Sequence, residues 1–303
     1  MQDIKQCPVC GGNSLAPHLV CTDRLVTQKQ FTLNRCEQCG MVITSPRPLS
    51  EELGAYYQSE DYVSHSDTQK GLFFKLYHSV RRHMLRSKYR HVARATKAIQ
   101  SSRQQSILDY GCGTGYFLQT MQQQGWHTTG IEIDPGARAF AKLKFGLETI
   151  APEAMSHLDD HSFDAITLWH VMEHVEELDT LLDELRRLLK PGGSLLIALP
   201  NHRSFDAQRY GADWAAYDVP RHLWHFSPDT FARMMTNHGW ELCATTTMPF
   251  DGFYISMMSE AARHRVSKPI AYLWGAFIGL LGWLVSMTHK PASSSLIYTL
   301  RTT

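Results

Sequence analysis

What this chain lacks first is an excess of charge. Its 30 Lys and Arg face 29 Asp and Glu, leaving a formal net charge of +1 over 303 residues. With no global field pulling the molecule toward nucleic acid or a membrane, any such partner has to be read from local patches. Internal repeats and low-complexity tracts are also missing, which sets aside solenoids and disordered tails. The opening "MQDIKQCPVC" is polar and carries no apolar run. No secretory signal is therefore expected, and the expected compartment is the cytosol. Cysteines there serve as metal ligands or free thiols more often than as disulfides. A hydrophobic content of 43% and a charged content of 19% describe an ordinary folded protein, with room for one large domain and a small attachment.

Cysteine is concentrated at one end, with five of the seven in the first 39 residues. Cys7 and Cys10 stand in "CPVCGG", and Cys36 and Cys39 stand in "CEQCG". Each Cys-x-x-Cys pair on a tight turn aims two thiolates at one point, and two such pairs complete a tetrahedral shell. That suits a closed, structural Zn²⁺ site. Gly11 and Gly40, each just after a pair, let the backbone fold back over the metal. Cys21 is left outside the set. The competing reading is two unrelated redox or packing motifs.

After "MVITSPRPLSEEL" the prolines break the chain, and Tyr56, Tyr57 and Tyr62 follow. Residues 71–100 read as helix, with an apolar stripe at Leu72, Leu76, Val80 and Met84. From Arg81 to Lys97 this helix carries Arg81, Arg82, Arg86, Lys88, Arg90, Arg94 and Lys97, and no acid. Such a face is either solvated or turned toward phosphates, of RNA or of anionic lipid.

From residue 106 strands and helices alternate. "SILDY", "HTTGIEID", "FDAITLWHV", "GGSLLIALP", "ELCATTTM" and "SSSLIYTLRTT" read as strands. Between them lie helical segments such as "PGARAFAKLKFG", with proline at its start, and "SPDTFARMMTNHGW", with a serine cap. This is the α/β class, a doubly wound and mostly parallel seven-stranded sheet.

The ligand of such a sheet sits at the carboxyl ends of the strands. In "LDYGCGTGYF" the glycines fall at 111, 113 and 115. A dinucleotide fingerprint needs its third glycine one residue later, and a Walker loop needs a lysine that is missing here. "LDYGCGTG" resembles the first motif of the class I S-adenosylmethionine methyltransferases. "GIEID", "FDAITLWHVMEHV" and "LLKPGGSLLIALPN" resemble the segments that follow it in that class, so the likeness covers roughly residues 100–250. The resemblance implies a Rossmann-like methyltransferase fold with S-adenosylmethionine as cofactor. It implies that Asp109 orients the methionine end and that Gly111, Gly113 and Gly115 let the backbone approach the ligand. It also implies that Glu132, with Ile133 beside it, receives the two ribose hydroxyls, and that His170 stands near the methyl donor.

The bound sulfonium already carries the reactivity, so the protein has to align a nucleophile and remove a proton where one must leave. His170 and His174 lie at a strand–helix junction. "WAAYDVPRHLWHFSP", residues 214–228, adds Tyr217, Asp218, His222 and His225 among Trp214, Trp224 and Phe226. Any one histidine is more often a structural hydrogen-bonding group than a catalyst. A segment this dense at the ligand mouth reads as part of the substrate site. It resembles the Tyr-x-x-His segment of zinc-containing sugar C-methyltransferases, which also carry an N-terminal module of paired cysteines. Here "YDVPRH" has two extra residues, Val219 and Pro220, and the long C-terminal domain of those enzymes is missing. That likeness implies His222 as base, with His225, His170 and Tyr217 as the other catalytic candidates.

Between Lys268 and Lys290, "PIAYLWGAFIGLLGWLVSMTH" contains no Asp, Glu, Lys or Arg. Eighteen residues of helix would span ~27 Å, close to a bilayer core. "SSSLIYTLRTT" follows at once and reads as the last strand, so a hairpin or a helix dipping into one leaflet is preferred over a crossing. Trp274 and Trp283 suit an interface, and Gly275, Gly279 and Gly282 permit close helix approach. The alternatives are packing on the domain's own surface or at a dimer interface.

The resulting division is a zinc ribbon at 1–48, a linker and basic helix at 49–100, and a methyltransferase domain at 101–303 with an apolar helical insertion at 253–290. The favoured activity is methyl transfer to a small-molecule, sugar or lipid-linked acceptor, with peripheral contact at the inner membrane face. An RNA methyltransferase gripping its substrate through the ribbon and basic helix is the alternative. Near-neutral charge and few basic residues in the ribbon weigh against nucleic acid. A third reading keeps the fold as a non-enzymatic scaffold, which the intact "DYGCGTG" and Glu132 disfavour.

Overall fold

The computed structural model describes residues 1–57, 72–97, 104–263 and 266–303, with 72–79 described by backbone alone. Tyr62, Gly71 and residues 98–100 of the expected segments lie outside the described residues, and the side chains of Leu72 and Leu76 are not described.

Two antiparallel strands, β1 (Leu15–Thr22) and β2 (Gln30–Cys36), and a short β3 (Val42–Thr44) follow the first cysteine pair. A short helix α1 (Ser50–Leu53) leads away from them. The expected basic helix is α2 (Leu72–Ala95).

The apolar runs then become β4 (Ser106–Tyr110), β5 (His127–Ile131), β6 (Glu148–Ile150), β7 (Phe163–Trp169) and β8 (Leu189–Pro200). Every residue of β7 is buried, as expected for a strand with helices on both sheet faces. The helices joining them are α3 (Tyr116–Gln123), α4 (Pro135–Phe145) and α5 (Leu178–Leu188). Asp134 caps α4 by accepting from Ala137 N, and Gly146 closes it with φ 66°. Helix α5 turns Leu178, Leu181, Leu182, Leu185 and Leu188 into the core, the spacing of one helical face.

After α6 (Phe205–Tyr210) comes β9 (Trp224–His225), which leaves the large sheet and pairs with β3 of the N-terminal module. The small sheet therefore runs β1-β2-β3-β9. The chain returns through α7 (Pro228–Asn237) and β10 (Trp240–Thr247). A helical pair follows, α8 (Pro249–Ala262) and α9 (Lys268–Thr288), before the last strand β11 (Ser295–Thr302).

The large sheet has seven strands in the order β10-β11-β8-β7-β4-β5-β6. β4, β5, β6, β7 and β8 are mutually parallel, and β11 runs antiparallel to both neighbours. This is the Rossmann-like methyltransferase arrangement. The order reverses between β4 and β7, which opens a crevice at their carboxyl ends. The apolar segment forms a hairpin with α8. A Cβ at Gly275 would lie 2.4 Å from Met257 Cα, and one at Gly279 would lie 2.6 Å from Phe253 Cα. Those two glycines let the helix backbones touch. Gly282 instead faces the Phe205 ring.

Candidate active site

The turn after β4 is shaped by its glycines. Gly111 has φ 74°, and a Cβ there would collide with Val171 Cγ2 at 2.4 Å. Gly113 has φ 54° with open space where a Cβ would stand, so the backbone is bare toward the crevice. Gly115, φ 83°, starts α3 with no side-chain cap. The helix thus offers uncapped N–H groups and its positive end at the crevice.

Glu132 follows β5 and is half-buried. Its Oε2 accepts from Gly113 N at 2.8 Å and its Oε1 from Asp134 N at 2.9 Å. Each carboxylate oxygen keeps a further lone pair, so two donors of a diol fit. Ile133 beside it is exposed. An open glycine turn, an uncapped helix start and a carboxylate at the end of the second strand fit an adenosine-bearing cofactor.

Asp109 is buried and accepts from Thr167 Oγ1 at 2.6 Å. Burial raises its pKa to about 7, against the opposing pulls of the Thr167 bond and of Lys88. Lys88 comes from α2, with its ammonium 4.7 Å from the centroid of the Trp169 ring. Burial lowers the Lys88 pKa, while Asp109 and Asp251 oppose that shift. On the sequence, Lys88 reads as one member of a basic face. In the fold it reaches inward.

His170 ends β7 in the left-handed region, φ 59°, a conformation that non-glycine residues adopt sparingly. Its Nε2 donates to Asp251 Oδ2 at 2.9 Å, and its Nδ1 lies 3.4 Å from Glu173 Oε1. Burial works against the cation, but the bonds to Asp251 and Glu173 prevail and raise its pKa to about 9. A pKa raised to about 9 favours the imidazolium at neutral pH, a hydrogen-bond donor at the mouth of β7.

Glu173 is fully buried, and its Oε1 has the His170 ring as its ionic neighbour at 3.4 Å. Burial raises its pKa, yet His170, His222 and His174 hold it below the usual carboxylate range. His174 is the opposite case. Burial first, then the neighbouring His222, lower its pKa to about 4, so it stays neutral. Its Nδ1 lies 3.0 Å from the Arg221 carbonyl and 3.0 Å from the Tyr57 hydroxyl.

The His222 ring stands edge-on to His174, with centroids 4.5 Å apart. His222 Nδ1 donates to the Ala216 carbonyl at 2.9 Å, leaving Nε2 3.9 Å from Asp218 Oδ2. One ligand-type atom from each of Glu173, His174 and His222 lies within 4.8 Å of the others. Such a trio can accept protons from a substrate or hold a divalent cation. The signal that could have brought Glu173 forward was its place between two noted histidines in "HVMEH".

His225 and Tyr217 belong elsewhere. Thr44 Oγ1 gives its proton to the His222 carbonyl at 2.7 Å, so His225 Nε2, 2.9 Å away, must donate to it. Burial holds His225 well below its ordinary pKa. Tyr217 is buried in a cluster with Cys21, Phe31 and Trp214. Both sit in the seam between the small sheet and the large domain, and the geometry removes them from the catalytic candidates.

Arg221, only 1% exposed, secures that seam. It donates to Asp218 at 2.6 Å, to the Tyr56 carbonyl at 2.8 Å and to Asp23 at 3.2 Å. The residue next to His222 is thereby tied to the loop after β1.

The four N-terminal cysteines converge. Cys7 and Cys39 sulfurs lie 3.5 Å apart and those of Cys10 and Cys36 3.6 Å apart. All four fall within 4.8 Å of one another. A tetrahedral zinc–thiolate shell with bonds of ~2.3 Å has edges of roughly 3.8 Å, so the set fits zinc. Gly11 N and Gly40 N donate to the Cys7 and Cys36 carbonyls at 2.9 and 2.8 Å, both glycines at positive φ.

Residues 80–245 match the family model described as a methyltransferase domain. Among curated proteins the chain is similar to the ubiquinone biosynthesis O-methyltransferase of Hahella chejuensis, 27% identical over 159 residues, 48% of this chain and 66% of that protein. It is also similar to the enzyme of the same name from Xanthomonas oryzae pv. oryzae, 32% identical over 130 residues, 40% of this chain and 54% of that protein. The match thus spans less than two thirds of either relative. Among solved structures it resembles a geranyl diphosphate C-methyltransferase from Streptomyces coelicolor A3(2) in complex with Mg²⁺, geranyl diphosphate and S-adenosyl-L-homocysteine. The TM-score is 0.51 at 14% identity, over 75% of this chain and 80% of that one. At that identity the likeness concerns the fold alone.

Proposed function

The chain belongs to the methyltransferase-domain family and is a class I S-adenosylmethionine-dependent methyltransferase; from that premise we propose that it methylates a lipid-linked small molecule at a membrane face, with His222 taking the acceptor's proton. The observation that carries this reading is the convergence of three histidines on one buried carboxylate. His170 Nδ1 lies 3.4 Å from Glu173, and Glu173, His174 and His222 bring ligand-type atoms within 4.8 Å of one another.

Gly111, Gly113 and Gly115 would line the cofactor, Glu132 would receive its ribose hydroxyls, and Asp109 would lie under its methionine end. When bound, S-adenosylmethionine supplies an electrophilic methyl group. The remaining work falls to this chain's residues. His222 Nε2 accepts the proton of an acceptor hydroxyl, with Asp218 Oδ2 3.9 Å away. His170, held between Asp251 and Glu173, would fix the hairpin at the edge of the acceptor site. A hydroxyl acceptor is supported by the name of the two curated relatives, O-methyltransferases of ubiquinone biosynthesis. A lipid-linked one is supported by the apolar hairpin whose first turn carries Asp251. The four cysteines are assigned to structural Zn²⁺.

The test is methyl transfer from labelled S-adenosylmethionine into fractionated extract, partitioned into organic, RNA, protein and small polar pools. Label in the organic pool is expected. Label in RNA would overturn the reading and make the ribbon and α2 the substrate grip. Label in the small polar pool would overturn the lipid link.

A further inference from the structure

Helix α9 is built inside out for a helix surrounded by water. Its buried face, against α8 and the domain, is Ala271, Gly275, Ile278, Gly279 and Ser286. Ile270, Leu273, Trp274, Phe277, Leu284 and Met287 face outward, between 45% and 74% exposed. A soluble amphipathic helix does the reverse, turning large apolar side chains to the core and polar ones to solvent. Only 28% of its most apolar 18-residue window is buried. A contiguous apolar surface of this kind marks a contact site.

A second feature lies beside it. Arg82, Arg86, Arg90 and Arg94 follow one another at intervals of four along α2, all exposed, with no acid between Arg81 and Lys97. α2 meets the hairpin at its start, where the His83 and Phe250 rings pack edge-on at 5.1 Å. Between the two helices lies a small recess of about 30 Å³, lined by Met84, Ser87, Lys88, His91, Phe250 and Asp251, the partner of His170.

We propose that the outward face of α9 and the arginine stripe of α2 form one docking surface for an anionic lipid bilayer. This rests on the reading that the acceptor is lipid-linked. Arginines at the headgroups and an apolar face at the acyl boundary are the two components of interfacial binding. Trp274 and Trp283 suit the headgroup level. The hairpin dips and does not cross, because β11 follows α9 directly and pairs with β8 inside the sheet. Asn201 also holds the connection, donating to the Pro291 and Ser293 carbonyls at 2.6 and 3.1 Å. A second copy of this chain is the weaker occupant, since a two-fold contact around this surface would bring like-charged stripes together.

The experiment is co-sedimentation of the full chain with vesicles of phosphatidylcholine alone or mixed with phosphatidylglycerol. Sedimentation with the anionic vesicles is expected, weakened by salt. The pair Leu273→Glu and Phe277→Glu, and separately the pair Arg86→Glu and Arg90→Glu, should each reduce binding by about tenfold or more. Leu143→Glu, on the exposed side of α4, should leave it unchanged. Each variant is first required to melt like the parent and to bind S-adenosylmethionine by calorimetry, so lost sedimentation is not lost folding. No binding to either vesicle, or equal binding by all variants, overturns the docking surface. So does a dimer in light scattering that the α9 pair dissociates while vesicles stay unbound. Label in the organic pool without vesicle binding sinks the docking surface alone. Vesicle binding without organic label supports the surface and sinks the lipid-linked acceptor.

Discussion

His170 Nε2 and Asp251 Oδ2 stand 2.9 Å apart, joining the carboxyl end of β7 to the first turn of the apolar hairpin across 81 residues of chain. The hairpin is thus connected to the candidate site by this hydrogen bond. The imidazolium's raised pKa gives that bond a pH signature. A base whose pKa rises on folding lends stability that is complete below its unfolded value, near 6.5, and is lost as pH climbs through the folded value of about 9. The melting-temperature gap between the parent and His170→Gln should therefore be widest below about pH 6.5 and close near pH 9. A variant difference is needed because Asp109, raised to about 7, loses stability over an overlapping range as pH rises. A gap that stays constant across that range would rule out the imidazolium.

Glu132→Ala should weaken S-adenosylmethionine binding by roughly tenfold or more, the scale of a charge-assisted hydrogen-bond pair. Calorimetry giving the parent's affinity would remove Glu132 from the ribose role.

His222→Ala should lower kcat by ~10²–10⁴, the range of general base catalysis, with cofactor affinity retained. His225→Ala should instead lower the melting temperature, because His225 bonds Thr44 in the seam. Equal kinetic losses in the two variants would argue against separating their roles.

Replacing Cys36 and Cys39 with Ser should empty the metal site and destabilise the N-terminal module. Metal analysis returning one zinc per chain in the double variant would refute the ligand set.

Gly275→Leu should separate α9 from α8, since even a Cβ there lies 2.4 Å from a backbone atom. Overpacking of this kind costs about 1–3 kcal/mol, readable as a lower denaturation midpoint. A Gly282→Ala variant, whose Cβ would meet only the Phe205 ring at 3.4 Å, should be milder. Identical midpoints for the two would mean that the helices are not held in contact.

Local signals carried much of this molecule. The glycine turn, the cysteine pairs and the long apolar strands are legible because each is determined by neighbours within a few residues. β6, three residues at the sheet edge, carries too little apolar length to be seen. β9 is two residues whose partner, β3, lies far earlier in the chain. The same holds for function. Nothing in "PFDG" says that Asp251 faces His170, and nothing in "WAAYDVPRHLWHF" says which aromatic and histidine side chains turn into the seam. His222 and His225 are three residues apart, yet one points toward Glu173 and the other toward Thr44. Only tertiary pairing separates them.

The edge that β9 shares with β3 makes the cysteine module part of the machinery by which His222 is aimed. Asp23, Thr44 and the Tyr56 carbonyl all hold the segment on which that ring sits. A truncation beginning after residue 48 would remove the first two of these three supports from the base and spare the cofactor turn. Such a fragment should still load its methyl donor and yet be a poor catalyst, with its cofactor turn intact and its His222 segment loosened.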